Sequence, residues 1–323
     1  MIHLIDVLCV ASDAPGPYSW SVQRILPRTA GVALLALLTA CAEKKAPVPA
    51  PPPILTPALP SAASEKEGPA PPVDCDFAAY GDCRSDHDVH RAVCAGIVRS
   101  GARWTVATGD FVDWGSNPGD WEIFRQVTRE LRAKIPYHAA KGNHDLSTDR
   151  IFEKEFGLER SWYDKRMGDV HLFVLDSNDD FTDAPQLAWL EEKAAASDAP
   201  HKIAAFHHPS FGIDVYGDFE TKRIRERIHA LLVRLRFCAA FCGHQHHFYT
   251  TRRDGVRYVI TAGGGAPLYE LDPARAQEGD LWRKFHHWVA CSVRDGKITA
   301  RVIDIRGQDV PELAFTVCEH GTK

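Results

Sequence analysis

Three histidines stand within four positions in AAFCGHQHHFY, residues 239–249, directly after a glycine that ends an apolar run: His244, His246 and His247. On an extended segment side chains alternate, so His-x-His would point two imidazoles, His244 and His246, to one side, as a metal ion needs. Two rings do not make a site, and the other donors must come from elsewhere in the chain. Four further loops carry them: CDFAAYGDCR ends in Gly81-Asp82, RWTVATGDFVDWG holds Gly109-Asp110, IPYHAAKGNHD ends in Gly142-Asn143-His144-Asp145, and HKIAAFHHP ends in His207-His208-Pro209. Carboxylate, amide and imidazole donors in one set suit Fe, Mn or Zn better than Ca, which takes all-oxygen cages. Two such ions about 3.5 to 4 Å apart serve in-line phosphoryl displacement: one generates hydroxide at neutral pH, both neutralise the phosphoryl oxygens, and a carboxylate bridges them.

From Cys75 onward each of these loops follows an apolar, strand-like run and precedes a helix-like segment. That order implies an α/β layered fold, in which loops leaving the carboxyl ends of strands converge on one site. Glycine ahead of the functional residue lets the backbone turn sharply. TKRIRERIHALLVRLRF, from Thr221, spaces Ile224, Ile228, Leu231, Leu232 and Leu235 as one face of a helix, with its arginines on the solvated face. HDVH, His87–His90, resembles a metal motif, yet it opens a helix whose Val89, Val93 and Ile97 point inward. GGGAP, Gly263–Pro267, has no helix start behind it and reads as a backbone crossing near the site rather than a phosphate cradle.

With 323 residues, 45% hydrophobic and 25% charged, the chain can bury a full core. A net charge of −5 without any basic block excludes the electrostatic footprint of a nucleic-acid-binding surface. Arg24 and Arg28 precede an apolar run, Ala30–Leu38, that is shorter than the about 20 residues a spanning helix needs and fits a secretion signal. Leu38-Thr39-Ala40-Cys41 resembles a bacterial lipobox, so residues 1–40 are expected to be removed and Cys41 to become the diacylated N-terminus. Residues 1–21 are unlike a signal, which puts the expected translation start near Val22; N-terminal mapping of the precursor tests this. Ala46–Pro72 holds nearly half of the chain's 21 prolines and is expected to form an extended tether, so residues 41–74 are lipidated cysteine and tether. Ala42 resembles the outer-membrane sorting pattern, and the expected location is the bacterial cell envelope, lipid-anchored at the outer membrane. Of nine cysteines, Cys75, Cys83, Cys94, Cys238, Cys242, Cys291 and Cys318 remain beyond Cys9 and Cys41, an odd number that leaves at least one free or paired between molecules. Cys238 and Cys242 would share a strand face and not pair with each other; connectivity and oligomeric state stay open.

In order, GD…GDxxD…GNHD…HH…GHxH resembles the calcineurin-like metallophosphoesterase superfamily. YVITAGGGAPLY and LDSNDDFTDAPQLAWLEE are similar to its bacterial purple-acid-phosphatase-like branch, and the likeness covers about residues 75–305 of an expected domain at 75–318. The resemblance implies an α/β sandwich of αββα layers, two mixed sheets flanked by helices, with a dimetal site at the loop edge. It implies Asp110 as the bridging carboxylate, Asp82 and His246 on the first metal, and Asn143, His207 and His244 on the second. His144 matches a histidine that touches substrate, stabilising the transition state or protonating the leaving oxygen. Asp113 and Asp145 are expected to support these groups, Asp113 by orienting His144 through its ring N–H.

The chain departs from that pattern in the first loop. Most of the superfamily has Asp-x-His there, and this chain has Asp82-Cys83-Arg84. Purple acid phosphatases replace the histidine with a tyrosine three residues after the bridging aspartate; here that residue is Asp113, so no tyrosinate charge-transfer band is expected. Arg84 stays protonated and cannot ligate, but it can fork onto phosphate, and it is expected to clamp substrate. His208 and His247 keep two readings, facing substrate or packing. The expected activity is hydrolysis of small phosphate esters by metal-bound hydroxide at a pair of Fe, Mn or Zn ions. The alternative is an envelope lipoprotein that binds phosphate without turnover because its first metal site is incomplete. Asp110 and His144 favour the enzyme, since a binder needs no general acid.

Overall fold

The structure, a computed structural model, describes residues 73–319; Cys41, the signal segment and the proline-rich tether lie outside them. In chain order the elements are β1 (Phe77–Tyr80), α1 (His87–Arg99), β2 (Trp104–Ala107), α2 (Pro118–Lys134), β3 (Tyr137–Ala139), α3 (Ile151–Phe156), β4 (Tyr163–Met167), β5 (Val170–Val174), α4 (Ala184–Ala195) and β6 (His201–Ala205). They continue with α5 (Phe219–Arg234), β7 (Ala239–Cys242), β8 (Phe248–Arg253), β9 (Val256–Thr261), β10 (Leu281–Arg283), β11 (His287–Arg294), β12 (Lys297–Asp304) and β13 (Phe315–Cys318). One sheet has the order β13-β12-β11-β1-β2-β3 and the other β10-β8-β9-β7-β6-β5-β4. Both are mixed: β1, β2 and β3 run parallel beside antiparallel β11, and β5, β6, β7 and β9 run parallel beside antiparallel β4 and β8.

Three apolar clusters separate the layers. Phe77, Trp104, Val174, Ile203, Phe241 and Val289 fill the space between the sheets, where the Phe77 ring stacks on Trp104 at 4.1 Å and meets Phe241 edge-on at 6.1 Å. Val93, Ile97, Trp121, Phe124 and Leu131 cover the outside of the first sheet from α1 and α2. Leu190, Ile224, Ile228, Leu231 and Leu232 cover the outside of the second from α4 and α5. This is the expected αββα sandwich, and the helical spacings of α1 and α5 bury the expected faces. HDVH is indeed a helix start: Asp86 caps it by accepting from the amides of Asp88 and Val89, and His90 turns inward to Tyr80. No helix among the described residues is long and apolar enough to cross a membrane.

Two local expectations are corrected. His244 and His246 do not lie on an extended segment: residues 243–247 form a tight loop after β7, and His244 adopts φ +70°. Strand alternation therefore does not set where the two rings go. Cys238 and Cys242 do not share a face either, because alternation begins only at Ala239. Cys242 packs under α4 and α5, whereas Cys238 lies between the sheets and forms a disulfide with Cys318 at the end of β13. Cys75, Cys83, Cys94, Cys242 and Cys291 are free and buried.

Candidate active site

The loops after β1, β2, β3, β6 and β7 meet at one edge of the sandwich, where the parallel strands of both sheets end. Asp82, Asp110 and His244 all have left-handed backbones, with φ of 54°, 57° and 70°, a conformation that non-glycine residues adopt at a cost. It swings each side chain from a strand end into the cleft. Of the glycines in these loops Gly109 also turns, with φ +101°, whereas Gly142 and Gly243 serve as space. A Cβ on Gly142 would lie 2.2 Å from Asp110 Oδ1, and one on Gly243 would lie 2.4 Å from Asp82 Oδ2.

Each imidazole is fixed by the bond its other nitrogen makes. His207 Nδ1 donates to the Thr108 carbonyl (2.8 Å), leaving Nε2 to face Asn143 Oδ1 at 3.0 Å and Asp110 Oδ1 at 3.3 Å. His244 Nε2 donates to Glu220 Oε2 (2.8 Å), leaving Nδ1 3.0 Å from Asn143 Oδ1 and 3.2 Å from His207 Nε2. His246 Nδ1 donates to the Pro267 carbonyl (2.7 Å), and its Nε2 lies 3.4 Å from Asp82 Oδ1. Asp82 also accepts the His244 amide at 2.9 Å. In these tautomers acceptor lone pairs of Asn143, His207 and His244 are turned on one another, an arrangement relieved by a proton on His244 Nδ1 or by a metal cation among them. The donor set therefore fits a metal, and His207, His208 and His244, like Asp82, Asp110 and His207, offer ligand atoms that could hold one.

Supporting contacts come from buried carboxylates and backbone. Asp145 accepts the amides of Asp110 (2.9 Å), Phe111 (2.8 Å) and Gly142 (2.8 Å), fixing two loops at once. His144 donates its amide to Asp110 Oδ1 (3.0 Å) and its ring Nδ1–H to Asp113 (2.8 Å), at the backbone carbonyl rather than the carboxylate. That carboxylate instead takes Arg84 Nη1 (3.2 Å) and Ser85 Oγ (2.7 Å). Arg84 Nε lies 3.5 Å from Asp110 Oδ2, and this buried nitrogen makes no hydrogen bond. GGGAP crosses behind the first loop as expected. The Gly264 and Ala266 amides go to the carbonyls of Gly81 and Asp82, so those two amides are not aimed at an anion.

Burial lowers the pKa of His207, against the pull of Asp110 and Asp82, and lowers that of His208 well below the ordinary value, helped by His244 and His207. Neutral imidazoles of this kind have no proton for a cation to displace. Burial also opposes charge on His244, but Glu220, Asp110 and Asp82 outweigh it and raise its pKa. Burial works against the Asp110 carboxylate too, and His207, His144 and the His144 amide reverse it, so its pKa is lowered. His247 is buried among His287 and His246, with its pKa pushed down to about 3, and neither ring nitrogen has a partner. Gln245 turns away from the cleft to pack against Gly212.

Sequence reading missed Glu220 and left His208 without a role. Glu220 sits in the first turn of α5, where an acid is ordinarily read as a helix-dipole partner. His208 receives Ser177: its amide donates to Ser177 Oγ (3.0 Å), and its Nδ1 lies 2.9 Å from the same oxygen.

A sequence profile described as calcineurin-like phosphoesterase matches residues 77–248. Tartrate-resistant acid phosphatase type 5 of Oryctolagus cuniculus is 24% identical over 202 residues, 51% of this chain and 60% of that protein. A probable purple acid phosphatase 20 of Arabidopsis thaliana is 25% identical over 175 residues, 45% of this chain and 41% of that protein. The chain thus spans 60% and 41% of the lengths of these two relatives. The structure of a purple acid phosphatase from seeds of yellow lupin (Lupinus luteus) resembles this fold with a TM-score of 0.65 at 17% identity, covering 74% of this chain and 53% of that one.

Proposed function

The chain belongs to the calcineurin-like phosphoesterase family, and from that premise we propose that it hydrolyses phosphate esters in a cleft that holds two transition-metal ions. The observation that carries this is the convergence of Asn143 Oδ1, His207 Nε2 and His244 Nδ1 within 3.0–3.2 Å, with ligand atoms of Asp82, Asp110 and His207 within 4.8 Å of one another and His246 Nε2 3.4 Å from Asp82 Oδ1. Asp82, Asp110 and His246 would hold the first ion, and Asp110, Asn143, His207 and His244 the second. When bound, such ions activate water and neutralise the phosphoryl oxygens. The chain's own groups do the rest. The Asp113 carbonyl orients His144 through Nδ1–H, so Nε2 faces the cleft and, when the ring carries its second proton, would donate it to a phosphoryl or leaving oxygen. Asp145 fixes the loops that carry Asp110 and Asn143. Metal analysis of the purified protein, beside hydrolysis of p-nitrophenyl phosphate and bis-p-nitrophenyl phosphate, tests the proposal: two equivalents with turnover are expected.

One observation favours a second reading. The guanidinium of Arg84 stands beside Asp110 in a loop where most of the family has a ligand, so the first ion has few protein donors. One equivalent of metal and no turnover of either ester would make the protein a phosphate binder. Under the enzymatic reading Arg84 turns its unpartnered Nε to a phosphate oxygen. Arg84→Ala is then expected to raise KM for p-nitrophenyl phosphate about tenfold, a charge-assisted bond being lost; unchanged KM and kcat would remove the clamp. Glu220 holds the second ion's His244 from behind. Glu220→Gln should weaken the affinity of that ion by about 10- to 100-fold in a chelator-competition titration, and a change below twofold would leave Glu220 without this role.

We further propose that the protein is a lipoprotein anchored through Cys41 in a bacterial outer membrane. Palmitate labelling of the expressed chain is expected, with loss of label and of membrane fractionation in Cys41→Ser; label surviving that change would end the proposal.

A further inference from the structure

Among the described residues the exposed large apolar side chains are Trp114, Leu146, Val215, Tyr216 and Phe219, from 49% to 74% exposed. Single exposed apolar residues scattered over a surface need no explanation, but each of these adjoins a residue of the site, in the chain or through Tyr269. Trp114 follows Asp113, and Leu146 follows Asp145. Their two segments touch, since a Cβ on Gly115 would lie 2.4 Å from the Asp145 carbonyl carbon and 2.5 Å from the Leu146 oxygen. They form one lip. Phe219 precedes Glu220, and Tyr216 meets Tyr269 edge-on at 5.1 Å. Tyr269 in turn lies over His246 at 4.1 Å and donates its amide to the His246 carbonyl at 3.0 Å. A continuous file of rings thus runs from a proposed metal ligand to the surface, and this is the second lip. The Val215 amide bonds the Glu270 carbonyl (3.2 Å), and Arg223 lies 5.1 Å over the Phe219 ring, so the second lip is braced.

We infer that the two lips bind a planar aromatic group carried on the phosphate ester, a nucleobase or an aryl ring, an inference that rests on the phosphoesterase reading above. A phosphate held between Arg84 and the His207–His244 cluster sends its ester substituent outward between the lips, where exposed aromatic faces stack planar rings with little conformational cost. A small aliphatic substituent would leave those faces in water.

Two matched pairs test it on the metal-loaded protein. Adenosine 5′-monophosphate and ribose 5-phosphate share the reacting group and differ in the base. The first is expected to have a kcat/KM about tenfold higher, the scale of one stacked ring. Phenylphosphonate and methylphosphonate cannot turn over, and calorimetry is expected to find the first bound about tenfold more tightly. In Tyr216→Ala/Phe219→Ala, at side chains 70% and 74% exposed whose loss should not unfold the chain, both ratios are expected to fall towards one. Trp114→Ala is expected to lower them from the opposite lip. Discrimination confined to the first pair assigns the group as a nucleobase, and confined to the second as an aryl ring. Equal values within both pairs, or ratios that neither variant lowers, overturn the inference, also if the variants lose affinity for phosphatidylglycerol vesicles instead. Turnover without discrimination sinks the lips and spares the phosphoesterase reading. Phosphonate discrimination without turnover of any ester does the reverse.

Discussion

Asp110→Asn is expected to lower kcat for p-nitrophenyl phosphate by about a thousandfold or more, the loss of some three factors of ten in transition-state stabilisation at a charge-neutralising centre. Asp110 is in contact with both halves of the cleft. Oδ1 lies 3.3 Å from His207 Nε2 and accepts the His144 amide, while Oδ2 lies 3.5 Å from Arg84 Nε. Asparagine keeps the shape and removes the charge. It also puts an NH2 where Asp110 has an acceptor, so a donor faces either the His144 amide or the Arg84 guanidinium. Metal content is expected to fall with activity. Thermal stability should stay near that of the parent, because relieving the burial of one carboxylate offsets part of the lost bonding. Turnover within tenfold of the parent, with two equivalents of metal retained, would show that Asp110 does not join the ions.

The second large effect is on stability. The Cys238–Cys318 disulfide closes a stretch of chain 80 residues long and ties the second sheet to the edge of the first. Loop-closure entropy alone gives about 4.5 kcal/mol for such a ring, and measured values commonly run lower, about 2 to 4 kcal/mol. Cys238→Ser/Cys318→Ser should therefore lower Tm by about 10 °C in a unit of this size. Dithiothreitol should reproduce much of that loss in the parent, as thermal melts can read. A Tm within about 2 °C of the parent would mean that the apolar core between the sheets holds them without the bond.

How far these features were legible in the sequence differs from loop to loop. Gly81-Asp82, Gly109-Asp110, Gly142-Asn143 and His207 could be read because each follows a short buried strand, and a polar donor at such a position has little else to do. The αββα layering followed from the alternation of apolar runs with the spacings of α1 and α5. Other features needed contacts no single sequence prints. The His244 amide bonds Asp82 across 162 positions, and Glu220 reaches His244 from a helix start that looks like any capped acidic turn. Parity fails at Cys238, which stands one residue outside β7 and does not follow its alternation. The left-handed backbones of Asp82, Asp110 and His244 were likewise hidden, because the adjacent glycines offered themselves as the turning residues.

The positions of the disulfide and the cleft on β7 have a mechanical consequence. Cys238 immediately precedes that strand, and His244 lies just beyond it. The two sheets are clasped covalently at one end of β7. At the other, Asp82, Asp110 and Asn143 from one layer face His207, His244 and His246 from the other, beside the backbone bonds of Gly264 and Ala266 to Gly81 and Asp82. The sandwich is thus built like a clothes-peg, locked by a covalent bond at the cysteines and closed by hydrogen bonds alone at the jaws. A cation gripped in the jaws would stiffen the whole peg, so the work of binding it would be felt as resistance of the two layers to being prised apart.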